Sequence, residues 1–343
     1  MQKHLNTLYV TTQNAYLFKE GESVVVSIKR ENRLRLPIHT LSGIVCFGAV
    51  SMSPYLMRHC AEHDVGISFL SEHGRFLARV KGPVSGNVLL RRTQYRVADD
   101  PEKTAGIVRS ILAGKLSNAR TVLLRAQRDH ADKQDGPSLQ HAGRRLKQFA
   151  AKLERTEDVN VLRGIEGESA ATYFEAFPHL ITVDDAEMRF NGRNRRPPMD
   201  PVNALLSFVY TLLVHDCRSA LEAVGLDPCV GFLHVDRPGR PSLALDIMEE
   251  FRSFLADRLV LSLVNRRQAR GRMFSRSSGG AVMMDDDTRK TVLTAWQKRK
   301  QEDILHPYLN EKVKIGLLPH IQSKLMARFL RGDMDGYPPF IWK

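Results

Sequence analysis

Cysteine is scarce: the four in the chain, Cys46, Cys60, Cys217 and Cys229, never fall two to four positions apart. That spacing excludes zinc knuckles and paired redox thiols, and leaves small apolar residues suited to a reducing compartment. Long apolar runs are missing as well. The longest, Leu205 to Val214, is broken by Ser207 and Thr211, well short of the roughly 18–20 residues that span a bilayer. The N-terminal MQKHLNTLYVTTQN carries no continuous apolar core of a signal peptide. A cytoplasmic protein without a membrane partner is expected. Acid is the third shortage: 38 Asp+Glu face 51 Lys+Arg, a net charge of +13.

What is present is a folding composition, 43% hydrophobic and 26% charged over 343 residues. The length suggests about two domains, each able to bury a core. Disorder does not explain the charge, so the excess lies on a surface. A basic folded surface most often serves a polyanion, whether nucleic acid, an acidic leaflet or a phosphorylated ligand; a basic exterior with no partner is the alternative.

The chain changes rhythm once. Short alternating or β-branched runs come first: TLYVT (7–11), AYLF (15–18), SVVVSI (23–28), RLRLP (33–37), GIVCFG (43–48), GISFLS (66–71) and RFLARV (75–80). One helix is expected among them at 54–63, capped by Ser53 with Pro54 at its first position. After GPVSGN (82–87) a helical stripe takes over, with Ile107, Ile111, Leu112, Leu116, Ala119, Leu123 and Ala126 on one face. Further helices are predicted near 138–155, 158–177, 201–224, 242–265 and 287–305. The helix at 201–224 is framed by Asp200 as N-cap, Pro201 and Gly225, and Ser242 is expected to cap the next. The predicted class is therefore α+β: a small N-terminal β-sheet or sandwich domain over 1–85, a linker over 86–104, and a larger all-α domain over 105–343. Two loops carry arginines without a single acid, four in Arg189–Pro198 and five in Arg266–Arg276.

Two groups of acids stand where apolar residues are expected. In VNVLRGIEGESAATYFEAF, Glu166 shares a helical face with Val159, Leu162, Ala170, Tyr173 and Phe177. A carboxylate in such a stripe costs several kcal/mol unless neutralised, so a metal or a paired cation is required, and Arg163 lies three residues back. In GFLHVDRPGRPSLALDIMEEFR (231–252), His234 ends a short extended run, and Asp246 and Glu249 sit at i and i+3 on the helix that follows. One imidazole with carboxylates makes a hard, mixed N/O donor set suited to Mn²⁺ or Mg²⁺. An ordinary turn histidine and solvated charge remain the alternative.

GIEG (164–167), the proline-led helix PPMDPVNALLSFVYTLL (197–213) and the segment 231–252 together resemble the integrase family of the CRISPR adaptation machinery, the first of the universal CRISPR-associated proteins. The closing DGYPPFIWK is similar to the branch that accompanies type I-C systems. The resemblance implies a homodimer that assembles with the small second CRISPR-associated protein and acts on double-stranded and branched DNA. The implied activity is a metal-dependent endonuclease and strand transferase, which inserts captured fragments into a CRISPR array by 3′-hydroxyl attack. Carried over by motif, the metal ligands fall on Glu166, His234 and Glu249 rather than Glu250, with Asp246 as a further acid beside the site. Arg163, Arg237, Arg240, Arg252, Arg266, Arg267 and Arg270 would then serve the DNA backbone, which positions a duplex without reading its sequence. A non-catalytic DNA-binding scaffold of the same fold and a hydrolase of small phosphorylated substrates are the rival readings.

Overall fold

The strands form where alternating or β-branched runs lie between turns. The computed structural model describes residues 6–342 apart from 64, 73, 75, 81, 83–87, 130–135 and 195–196. In it, β1 (Asn6–Val10), β5 (Leu41–Phe47), β7 (Gly66–Leu70) and β8 (Phe76–Val80) make one sheet in that order. A second sheet runs β4 (Glu31–Pro37), β3 (Ser23–Ile28), β2 (Tyr16–Glu20) and β6 (Ser51–Met52). In the first sheet β1, β5 and β7 are parallel and β8 is antiparallel to β7. Central parallel strands are covered on both faces, which is why Ile44, Val45, Cys46 and Phe47 are all buried in succession. Leu17, Val24 and Val26 from one sheet meet Ile44, Cys46 and Ile67 from the other in a single core. Helix α1 (Pro54–Glu62) adds Leu56 and Cys60 to it, and its N-cap Ser53 accepts from the Leu56 N–H. Burial pushes the Cys46 and Cys60 thiols up to about 12.

The fold is α+β, with this β unit followed by a larger helical one. Two compact units account for the chain: the described residues of Met1–Ser85 with Arg289–Glu302 and Ile315–Leu317, and those of Gly86–Thr288 with Asp303–Lys314 and Leu318–Lys343. Thus part of a late helix completes the first unit; Gln297 donates to the Thr7 carbonyl at 2.7 Å. The segment expected as a linker contains a helix, α2 (Val88–Ala98), while most of GPVSGN lies outside the described residues. Its amphipathic face buries Leu90 and Gln94, and the Gln94 amide is spent on the Asp227 and Val230 carbonyls.

The helical unit continues with α3 (Pro101–Asp129), α4 (Gly136–Leu153), α5 (Val159–Ala176), α6 (Pro201–Ala223), α7 (Ser242–Glu249) and α8 (Arg258–Asn265). Asp200 caps α6 through the Asn203 N–H at 2.8 Å, and Gly225 past its end takes φ +87°, the left-handed geometry that stops a helix. Single helices do not run through 242–265: α7 ends at Glu249 and Arg252–Asp257 is π-helical before α8 begins. Ser242 is the first residue of α7 and not its cap; its hydroxyl lies 3.3 Å from the Val235 carbonyl. The unit is also not purely helical, since β9 (Phe274–Arg276) pairs with β10 (Val282–Met284). Beyond α9 (Asp286–Lys300), β11 (Asp303–Leu305) pairs with β12 (Lys312–Lys314), and α10 (Leu318–Leu330) follows. Among the described residues no helix is long and apolar enough to cross a membrane.

Candidate functional site

Helix α5 carries Glu166 to the shoulder of its buried face rather than to the middle. The residues it buries, Leu162, Ile165, Ser169, Thr172, Tyr173 and Ala176, centre about 70° away from Glu166 at 100° per residue. Its carboxylate, 28% exposed, therefore borders a cavity of about 700 Å³. Its partner is not Arg163 but Lys115 of α3, whose ammonium lies between Glu166 and Glu249. Lys115 was open to the reasoning that singled out Glu166. It stands four residues after Ile111 and four before Ala119, a lysine inside an apolar stripe.

Glu249, at the end of α7, is 1% exposed and held from both sides. Arg252 Nη1 donates to Oε1 at 2.6 Å, and Lys115 Nζ lies 2.8 Å from Oε2. Burial alone would raise its pKa, but the Arg252 and Lys115 charges together pull it well below the usual carboxylate range. Arg252 is itself stacked 4.6 Å over the Tyr210 ring. The Tyr210 hydroxyl donates to Asp257 at 2.6 Å; burial outweighs this bond and the Arg252 charge and pushes the Asp257 carboxyl up to about 6. Tyr210 and Asp257 line the same cavity; Tyr210 carries no sequence signal beyond an apolar pattern, whereas Asp257 is an acid flanked at helical spacing by Phe254, Val260 and Leu261.

The neighbour of Glu249 is turned elsewhere. Glu250 accepts from Tyr337, Gln322 and the Phe340 N–H, all in the C-terminal portion of the chain. The adjacent acids are thus separated in task, Glu249 lining the cavity and Glu250 tying down the C-terminal segment.

His234 is positioned by Asp246, which is fully buried. Asp246 Oδ2 accepts from the Phe232 and Leu233 N–H groups at 2.6 and 3.0 Å. Its Oδ1 accepts from the His234 N–H at 3.0 Å and stands 2.7 Å from His234 Nδ1. An ionised carboxylate only accepts, so Nδ1 carries the proton and the Nε2 lone pair is left for another use. Arg163 completes this loop, donating to the Leu233 carbonyl at 2.7 Å and the Phe232 carbonyl at 3.3 Å. Its guanidinium is committed to the loop that bears His234. Asp246→Asn sets an amide NH₂ against two donors whichever way it is turned. It is expected to weaken divalent-metal binding about 10–100-fold, read by calorimetric titration; unchanged affinity would remove Asp246 from this role.

The remaining arginines differ in exposure. Arg252 is half-buried in the cavity wall, Arg240 is partly covered, and Arg237, Arg266, Arg267 and Arg270 are exposed. Arg193 also lines the cavity, its guanidinium on Asn203 and Ser207, whereas Arg195 and Arg196 lie outside the described residues.

The donor set suits a hard divalent cation: two carboxylates, an imidazole with a free Nε2, and an ammonium already between the carboxylates where positive charge is favoured. Among the described residues, however, Glu166, His234 and Glu249 do not bring one donor atom each within 4.8 Å of one another. The structure collects around Lys115 the charges that a metal would otherwise balance.

Residues 8–298 match the family described as CRISPR associated protein Cas1. The chain is 58% identical to "CRISPR-associated endonuclease Cas1 1" of Chlorobaculum tepidum, over 100% of both chains. Its fold is shared with a casposase bound to integration product, at TM-score 0.84 and 21% identity over 98% of this chain and 94% of that one. It is likewise similar to a chain of a Cas6-RT-Cas1–Cas2 complex, at TM-score 0.84 and 20% identity, covering 100% of this chain and 36% of the other.

Proposed function

The chain belongs to the CRISPR-associated Cas1 family, and from that premise we propose that it is the integrase of spacer acquisition, a metal-dependent endonuclease and strand transferase. It joins the 3′-hydroxyl of a captured DNA fragment to a phosphodiester of the CRISPR array, or uses water to cleave. The observation that carries this reading is the pair of carboxylates, Glu166 and Glu249, gathered at one cavity, together with an imidazole, His234, whose tautomer Asp246 fixes. Glu166, His234 and Glu249 would hold Mn²⁺ or Mg²⁺. A divalent cation bound there would neutralise non-bridging phosphate charge and favour the deprotonated nucleophile.

The chain's own residues do the rest. Asp246 fixes the tautomer of His234, and Arg163 fixes the loop that carries it. Arg252 keeps Glu249 ionised and aligned, while Tyr210 and Asp257 hold Arg252 from behind. Arg237, Arg240, Arg266, Arg267 and Arg270 supply phosphate contacts, which position a duplex and steepen the salt dependence of binding. The protein works in the cytoplasm as a homodimer, with the small second CRISPR-associated protein as its partner on double-stranded and branched DNA.

A second reading, a non-catalytic DNA-binding scaffold, is favoured by one observation: Lys115 and Arg252 already balance the charge of both carboxylates. Metal removal separates the two. Branched DNA with a free 3′-hydroxyl is expected to give cleavage and joining products in Mn²⁺, more with the small partner than without it, and none in EDTA, with duplex binding retained. Equal turnover in EDTA would overturn the metal-dependent reading, and duplex binding without products in either condition would favour the scaffold.

A further inference from the structure

Glu22, His59 and His63 form a cluster in the β unit, and none of them belongs to the candidate site of the helical unit. Glu22 follows Gly21 in the tight turn between β2 and β3. His59 and His63 are one helical turn apart at the C-terminal end of α1, with their rings edge to face at 4.4 Å between centroids. The three offer one donor atom each within 4.8 Å of one another, the one such set of three among the described residues. His59 Nε2 lies 3.4 Å and His63 Nε2 3.9 Å from the same Glu22 oxygen, Oε2. Lys19 approaches the other oxygen, Oε1, at 3.9 Å.

Two further observations point to a ligand. His59 is 4% exposed, and its Nε2 is buried with no hydrogen-bond partner. An unsatisfied ring nitrogen of this kind is costly unless something fills its lone pair. His63 Nδ1 lies 2.9 Å from the His59 carbonyl. A carbonyl only accepts, so Nδ1 carries the proton and Nε2 presents its lone pair to the cluster, the hydrogen-bonded arrangement typical of metal-bound histidine.

We propose that Glu22, His59 and His63 bind one Zn²⁺-type transition-metal ion, held by His59 Nε2, His63 Nε2 and Glu22 Oε2, which staples the β2–β3 turn to the end of α1. Two imidazoles and a carboxylate favour Zn²⁺ over the Mg²⁺ and Mn²⁺ suited to oxygen-rich sites. On a tetrahedral ion with bonds of about 2.0–2.1 Å, neighbouring donors stand about 3.3 Å apart. The two Nε2–Oε2 separations, 3.4 and 3.9 Å, are close to that spacing. Glu22 at 69% and His63 at 40% side-chain exposure are free to close the remainder, with water completing the shell.

The test uses the full chain stripped of metal, carrying Glu166→Gln and His234→Ala so that the donors of the helical unit are removed. Calorimetric titration with Zn²⁺ is expected to give one strong site per chain, while Mg²⁺ gives none. Adding His63→Gln or Glu22→Gln, both exposed positions, is expected to weaken that site about 100-fold with the circular dichroism spectrum unchanged. Absence of the site in the starting protein, or undiminished Zn²⁺ affinity in either added variant, overturns the proposal.

Discussion

Glu249→Gln is expected to lower metal-dependent cleavage and strand transfer by about 10³-fold while duplex binding is retained. The change preserves shape and removes only the charge. Glu249 is 1% exposed between Arg252 and Lys115, so the amide must point its NH₂ at one cation or the other. Both the ligand oxygen and the alignment of Arg252 are lost together. Several kcal/mol of transition-state stabilisation is the scale of such a loss, and each 1.36 kcal/mol is tenfold in rate. Turnover within about tenfold of wild type would show that Glu249 is no part of the reaction.

The same substitution has a pH signature. Because the folded-state pKa of Glu249 lies below its unfolded value, the ion pair stabilises the protein fully above about pH 4.5 and is lost as pH falls below that. The unfolding free energies of wild type and Glu249→Gln should therefore converge in acid. Breaking a buried pair costs about 3–5 kcal/mol, so activity must be referred to the folded fraction.

The parts of this molecule that were legible in the sequence are those with local causes. Strands follow alternating or β-branched runs, and the starts of α1 and α6 follow from Ser53 and Asp200, whose side chains accept N–H groups three residues ahead. The same periodicity marked Glu166 as an acid in an apolar stripe. Applied to α3 it marks Lys115 equally well, and the two prove to be partners. Other features have non-local causes. The π-helical turn at Arg252–Asp257 places Asp257 under Tyr210, 47 residues distant. No pattern within 242–265 encodes that meeting. Arg289–Glu302 belongs to the β unit through contacts such as Gln297 to Thr7, 290 residues away, which composition along the chain does not record. Arg163 illustrates a third case. Its spacing from Glu166 is right for a pair, yet it serves the carbonyls of the His234 loop, because Lys115 already balances the acid.

Glu250→Ala is expected to be the most destabilising single change in the helical unit, by about 4 kcal/mol in chemical unfolding. The carboxyl of Glu250 is fully buried. It accepts from Tyr337 Oη at 2.6 Å, the Phe340 N–H at 2.7 Å and Gln322 Nε2 at 2.9 Å. Alanine strands the Tyr337 hydroxyl and the Phe340 N–H, each costing about 1–3 kcal/mol when left unmet in the interior, while the Gln322 amide keeps Tyr337 Oη and the Pro338 carbonyl. The anchor extends further, since Asn118 donates to the Glu250 and Phe340 carbonyls and accepts from the Trp342 N–H. Loosening Phe340 would therefore disturb its ring contacts with Phe251 and Phe254 as well. Glu250→Gln behaves differently. Burial with no cation beside the group outweighs its three donors and pushes its pKa up to about 8, so at neutral pH the native side chain is mainly the protonated acid, which the amide imitates. An acid whose folded pKa is raised favours folding less as pH climbs from its unfolded value to its folded one. Wild type is thus expected to lose roughly 3 kcal/mol relative to Glu250→Gln between pH 5 and pH 8. Parallel stability curves for the two across that interval would mean that Glu250 is ionised in the fold, with its three donors sufficient to hold the charge.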